Sequence, residues 1–141
     1  MHLKKKSIRS KRADNPPHFS SQVAITYNAR KNKYVVGISY THDFAILDKN
    51  FNVLETIKGV KPASTTKQGM DSDNKYIYFL LSSPNAISVY DWKGNHYGVF
   101  ELNDEAKKYE SENIFLHNDD LYIGYNYEFG RVYKTSFEAT Y

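Results

Sequence analysis

Residues 75–102 read KYIYFLLSSPNAISVYDWKGNHYGVFEL, and this stretch decides the fold. Residues 76–79 are aromatic and β-branched, a composition that suits a pleated, half-buried surface better than a helix. A second run, Ser88-Val89-Tyr90-Asp91, leads through Trp92-Lys93-Gly94-Asn95 into a third run at 96–102. An aspartate opens a turn by accepting backbone N–H groups, and Gly or Asn tolerates the positive φ that a tight hairpin needs. The stretch therefore predicts consecutive antiparallel strands.

The pattern recurs on both sides. KYVVG at 33–37, KYIYF at 75–79 and DLYIG at 120–124 begin 42 and 45 residues apart. The runs starting at Ala45, Ser88 and Arg131 are spaced by 43 and 43. A weaker copy of the hairpin occupies 43–52, where Asp48-Lys49-Asn50 leads into the run at 51–57. One more apolar stretch precedes each unit, at 23–27, 69–70 and 114–116, so each unit holds about four short strands. Four antiparallel strands in a repeat of about 40–45 residues is the signature of a β-propeller blade. The expected fold class is all-β, with about three four-stranded blades at about 19–62, 63–104 and 105–141. Residues 103–109 form a polar connection between blades, expected to hold one helical turn. Closed propellers need about four to eight blades, so the ring is incomplete.

The hairpin at 85–95, its copy at 43–52 and the Tyr-Ile-Tyr strand resemble the blades of NHL-type and related bacterial propellers. The Gln68-Gly69 step ahead of such a hairpin is similar to helveticin-like bacterial cell-surface propellers. The resemblance covers roughly residues 20–141 and implies the fold, with no catalytic residue carried over. The chain departs from the WD-repeat pattern, since no Gly-His to Trp-Asp pairing recurs.

Composition narrows the possible chemistry. The 141 residues include no cysteine, which removes disulfide scaffolds, thiol redox chemistry and Cys-type zinc sites. The net charge of +3 is misleading, because six Lys and Arg residues precede the first acid and the remainder sums to −3. A basic arm, 1–18, precedes a mildly acidic body, which gives no support to a globally basic nucleic-acid-binding domain. No run approaches the roughly 18 apolar residues of a membrane span. The N-terminal MHLKKKSIRSKR lacks the apolar stretch of a signal peptide, so no export signal is expected and the compartment is open.

The repeat itself nominates a site. Gln22, Gln68 and Asn113 enter the innermost strand of each blade at spacings of 46 and 45. A ring of carboxamides, offering donors and acceptors, suits a neutral polyhydroxyl ligand. The plainer account is that each amide satisfies a neighbouring backbone group. Lys67 and Glu112 flank the ring and would add charge at its rim, with a solvated loop as the plainer account of both. Trp92, Tyr97, Tyr40, Tyr125 and Tyr127 are candidates for an aromatic platform, with blade-to-blade packing as the rival account for most. Trp92, at a hairpin tip, is the one for which a buried role is harder to supply.

Catalytic motifs are sparse. The five histidines lack metal-ligand spacing, and Asp71-Ser72-Asp73-Asn74 lacks the downstream glutamate of a calcium loop, so it reads as a strand-connecting turn, as does 118–120. Asp48, Asp91, Glu101, Glu110 and Glu112 leave a paired-carboxylate site open, although the first two already cap turns. No cofactor or metal is expected. The expected function is non-catalytic recognition of a polysaccharide or protein ligand through Gln22, Gln68, Asn113, Trp92 and Tyr97. The rivals are a fragment of a propeller enzyme and an assembly scaffold. A longer chain, a homodimer making a six-bladed ring and an open stack would each resolve the missing closure, in that order of preference.

Overall fold

The computed structural model describes residues 24–38, 41–62, 65–102 and 108–135. The basic arm, Gln22, Tyr40, most of the 103–109 connection and any strand after residue 135 lie outside them.

The described residues form eleven strands and no helix. Strands β1 (Ile25–Asn28), β2 (Lys33–Gly37), β3 (Phe44–Asp48) and β4 (Val53–Ile57) make a first antiparallel sheet in chain order. Strands β5 (Thr66–Ser72), β6 (Tyr76–Ser82), β7 (Ala86–Asp91) and β8 (His96–Glu101) make a second. Strands β9 (Ser111–His117), β10 (Asp120–Tyr125) and β11 (Arg131–Thr135) make a third. The fold is thus all-β, with blade-like sheets of four, four and three described strands and a ring that does not close.

The register sharpens the repeat. Lys33 pairs with Asp48 and Tyr76 with Asp91, so the first two sheets superpose at an offset of 43 in both strands. Matching Lys33 to Lys75, at 42, is one residue short. Side chains alternate between faces along a strand, so an odd slip swaps the two faces of the sheet. With the offset at 43, Val35 corresponds to Tyr78 and both point toward the following sheet.

Two apolar layers hold the sheets together. Val35, Phe44, Ile46 and Ile57 of the first sheet meet Met70, Ile77, Phe79 and Tyr90 of the second. The Phe44 ring lies 5.0 Å from both Phe79 and Tyr90, in tilted and edge-on contacts that suit aromatic quadrupoles. Tyr78, Leu80, Ile87 and Val89 on the opposite face of the second sheet meet Ile114, Leu121, Ile123 and Tyr125 of the third. Strand β6 is covered on both faces, which is why its sequence is apolar almost throughout instead of alternating.

The innermost strands β1, β5 and β9 lie side by side, and one carboxylate joins them. Asp71 Oδ1 accepts from Thr26 Oγ1 on β1 at 2.8 Å and from its neighbour Ser72 N at 2.8 Å. Asp71 Oδ2 accepts from Leu116 N on β9 at 2.7 Å. Thr26, Asp71 and Leu116 are spaced by 45 and 45 residues, so the bridge links the inner strands of three successive units.

Removing the Asp71 carboxylate strands the Leu116 N–H and the Thr26 hydroxyl. Hydrogen bonds to charged groups contribute about 1.5–3 kcal/mol, and a buried orphan donor adds a similar cost. Asp71→Ala is expected to lower unfolding free energy by about 3 kcal/mol in urea titration. Asp71→Asn should recover less than half of that, because its NH2 faces a donor.

Candidate functional site

Beyond the Asp71 bridge, the innermost strands end in three corresponding turns. Residues 29–32 join β1 to β2, 73–75 join β5 to β6, and 118–119 join β9 to β10. The third is a two-residue turn with φ of 50° at Asn118 and 65° at Asp119, values that Asn and Asp tolerate through their short polar side chains. Between the three turns lies an open cleft of about 500 Å³, lined by Tyr27, Asn28, Arg30, Asp71, Asp73, Asn74 and Asp119 among others.

Much of the cleft's polarity is already committed. Both oxygens of Asp71 hold the inter-sheet bridge. Asp73 Oδ1 accepts from the backbone of Lys75 and Tyr76, each at 2.7 Å, and Oδ2 accepts from the Tyr78 hydroxyl at 2.6 Å. Burial, followed by that bond to Asp73, raises the Tyr78 pKa far above the phenol range and keeps the hydroxyl a donor. Asn28 Nδ2 donates to Ser72 Oγ and to the Asp73 carbonyl, and its Oδ1 accepts from Lys31 N. The exposed lining residues with polar side chains, besides Tyr27, are Arg30, Asn74, Asn118 and Asp119, and Asn118 Nδ2 lies 3.2 Å from His117 Nε2. One wall is the Tyr27 ring, fixed by donation to Asn32 Oδ1 at 2.6 Å and by contact with Tyr34, whose ring is 4.7 Å away.

The residues nominated by the repeat lie elsewhere. Gln22 is outside the described residues. Gln68 and Asn113 are neighbours near the other end of the inner strands, since Gly69 packs on the backbone of Asn113. Gln68 Nε2 donates to Ser82 Oγ at 2.9 Å and to Glu110 Oε1 at 2.6 Å, so side chains satisfy it where backbone was the expected partner. The Asn113 amide lies over Gly124 on the paired strand, where a Cβ would collide with it. Lys67 is no solvated rim charge. Its Nζ donates to the Ile38 carbonyl of the first sheet at 2.5 Å, and desolvation lowers its pKa.

Trp92 has a partly buried role that its hairpin-tip position obscured. It packs against the core between the first two sheets, its indole N–H donates to the Asp73 carbonyl at 2.9 Å, and Lys31 Nζ stands 5.1 Å over the ring. Tyr97 is 56% exposed and sits edge-on to Tyr76. Tyr125 belongs to the core between the second and third sheets, while Tyr127 lies between Tyr109 and Arg131. These four rings do not form one platform.

Asp48 and Asp91 act as turn caps in matching detail. Each accepts from backbone N–H groups two and four residues on, and from the side-chain amide of Asn52 or Asn95. That amide bond leads the causes that hold both carboxyls below the usual range. Among the described residues no group of three or more His, Asp or Glu side chains is arranged for a metal ion, and no helix is long and apolar enough to cross a membrane. Comparison with protein-family models and with curated proteins finds no match to this chain.

Two histidines are poised by burial. His42 is 8% exposed and sits 43 residues before the buried Asn85. Its pKa is lowered first by desolvation and then by Lys67 and Lys61. The His96 ring is bonded to Ser88 Oγ at 2.9 Å, and desolvation lowers its pKa too. The unfolded chain therefore binds more protons than the native state below about pH 6.5, so stability rises with pH through that window. Unfolding free energy should fall as pH is lowered from about 7 to about 5. His42→Asn, which installs the residue of the second sheet, should flatten part of that slope in denaturant melts across pH.

Proposed function

We propose that the chain is a non-catalytic recognition module that binds a polysaccharide segment in the cleft between the three inner turns. The observation that carries this reading is the division of labour in the cleft. Asp71 and Asp73 spend both carboxylate oxygens on the fold. Arg30, Asn74 and Asp119 remain exposed beside the held ring of Tyr27. A cation, an amide and a carboxylate around a fixed aromatic ring offer donors, acceptors and an apolar face. Sugar hydroxyls act as both donor and acceptor, and a pyranose ring has an apolar face to lay on a tyrosine. The opposite charges of Arg30 and Asp119 favour a neutral ligand over a strongly charged one.

Turnover has less support than binding, because the two most enclosed acids of the cleft are immobilised as acceptors and are poorly placed to exchange protons. The blade spacing and the matched Asp48 and Asp91 turns support a place among NHL-type or helveticin-like propellers, and with it a role at a cell surface. Gln68, Asn113 and Tyr97 stand as the competing ligand contacts.

A glycan array should reveal at least one neutral oligosaccharide that binds. Hydrogen bonds to charged groups contribute about 1.5–3 kcal/mol, so Arg30→Ala and Asp119→Asn should each weaken that ligand about tenfold or more in calorimetric titration. Gln68→Ala should leave affinity unchanged. Loss of binding in Gln68→Ala with retention in Arg30→Ala would move the site to the other end of the strands.

A further inference from the structure

Residues 126–130 join β10 to β11 at the end of the sheets opposite the cleft. The loop is closely held. Asn126 N donates to the Glu110 carbonyl at 2.9 Å and Gly130 N to the Tyr127 carbonyl at 2.6 Å, with φ of 40° at Glu128 and 77° at Gly130. This turn leaves Phe129 101% exposed, the most exposed large apolar side chain among the described residues. Behind it the Tyr127 ring lies 4.0 Å from that of Tyr109, with Arg131 4.3 Å over the first and Lys108 Nζ 5.2 Å over the second. Two further loops present apolar side chains at the same end: Val60, 47% exposed, in the connection between the first two sheets, and the exposed Pro84 between β6 and β7.

The charge at this end has two sources. Lys58, Lys61, Lys108 and Arg131 are exposed there, and Glu101, Glu110, Glu112 and Glu128 balance them. The excess lies in the arm. Strand β1 runs from this end toward the turn at 29–32 that lines the cleft, so the preceding chain joins the body here. That preceding chain carries six Lys and Arg residues within 4–12 and no acid before Asp14.

We propose that this end docks on an anionic lipid surface, with Phe129 entering the boundary between headgroups and acyl chains and the basic arm supplying attraction to the headgroups. The layers match the depths that such groups favour: an apolar tip foremost, then tyrosines, then Lys and Arg at the level of the headgroups. One apolar signal gives only marginal attachment, and a polybasic segment is the second signal that makes it durable. A nucleic acid is the poorer match, because stacking of successive bases needs rings along a groove, whereas Phe129 stands alone at a loop tip. The inner strands β5 and β9 are seven residues long, which sets the cleft about 20 Å from this end and facing away from the lipid. The docking does not rest on which ligand the cleft takes.

Vesicle co-sedimentation of the full chain tests this, with phosphatidylcholine alone and with phosphatidylcholine and phosphatidylserine at about three to one. The expected result is binding to the second composition, weakened as salt rises. Phe129→Ser should lower the partition coefficient about tenfold with unchanged thermal melts, because the side chain is fully exposed in the fold. The triple variant Lys4→Gln, Lys5→Gln, Lys6→Gln should lower it about tenfold or more, and Lys75→Gln at the cleft end should leave it unchanged. Because the chain has no cysteine, Phe129→Cys carries a single environment-sensitive dye, whose emission should shift to the blue on the anionic vesicles. A chain that ignores anionic vesicles would overturn the proposal. So would binding that Phe129→Ser leaves unchanged, a dye that stays in water while the chain is bound, or capture of a single-stranded oligonucleotide in place of the vesicles.

Discussion

One carboxylate sets the relation between the three sheets. Apolar layers alone let two sheets slide along their strands, since hydrophobic burial is non-directional. Asp71 removes that freedom by accepting from the side chain of Thr26 on one side and the backbone of Leu116 on the other. It fixes the height of β1 and β9 relative to β5, and the turns that end those strands are brought to a common level as a result. The cleft lies between the turns so levelled.

A second tie reinforces the same end of the molecule. The Asp73 carbonyl accepts from both Asn28 Nδ2 and Trp92 Nε1, so a turn of the second sheet is bonded to the first sheet and to its own outer hairpin. Gly94, with φ near 90°, brings that hairpin onto Ile57, where a Cβ would be crowded at 2.9 Å. Corresponding aspartates cap the hairpins at 48 and 91, yet only the second of these hairpins carries a tryptophan. Its ring packs against the core that joins the first two sheets.

The fold was largely legible because its signal is additive. Alternating runs, turn aspartates and a spacing of 43 recur, and each copy strengthens the others. What the sequence hid was parity, since Tyr34 and Tyr76 look equivalent but sit one step apart in the pleat, and a one-residue slip is invisible to composition. The site was less legible. Asp71-Ser72-Asp73-Asn74 and 118–120 were readable as equivalent turns, but nothing in one strand reveals that Asp71 bonds partners 45 residues away on either side. Trp92 misled for the same reason: a hairpin tip is exposed in isolation and loses that exposure only when another sheet lies beneath it. Gln68 and Asn113 lie on adjacent inner strands, while the groups that satisfy Gln68, Ser82 and Glu110, come from a paired strand and a connection.

The turns that line the cleft come from three different sheets, and this couples the proposed binding to stability. A ligand touching Arg30 after β1 and Asp119 after β9 would span the units that Asp71 ties together. Anything that binds the native arrangement and not the separated units stabilises it in proportion to the logarithm of one plus the ratio of free ligand to its dissociation constant. Such a ligand acts in parallel with the carboxylate bridge, holding the same three strand ends from the solvent side. The energetic weight of the bridge and the affinity of the cleft are then linked quantities, because a chain that has lost Asp71 must spend binding free energy on restoring the alignment that Asp71 supplies in advance.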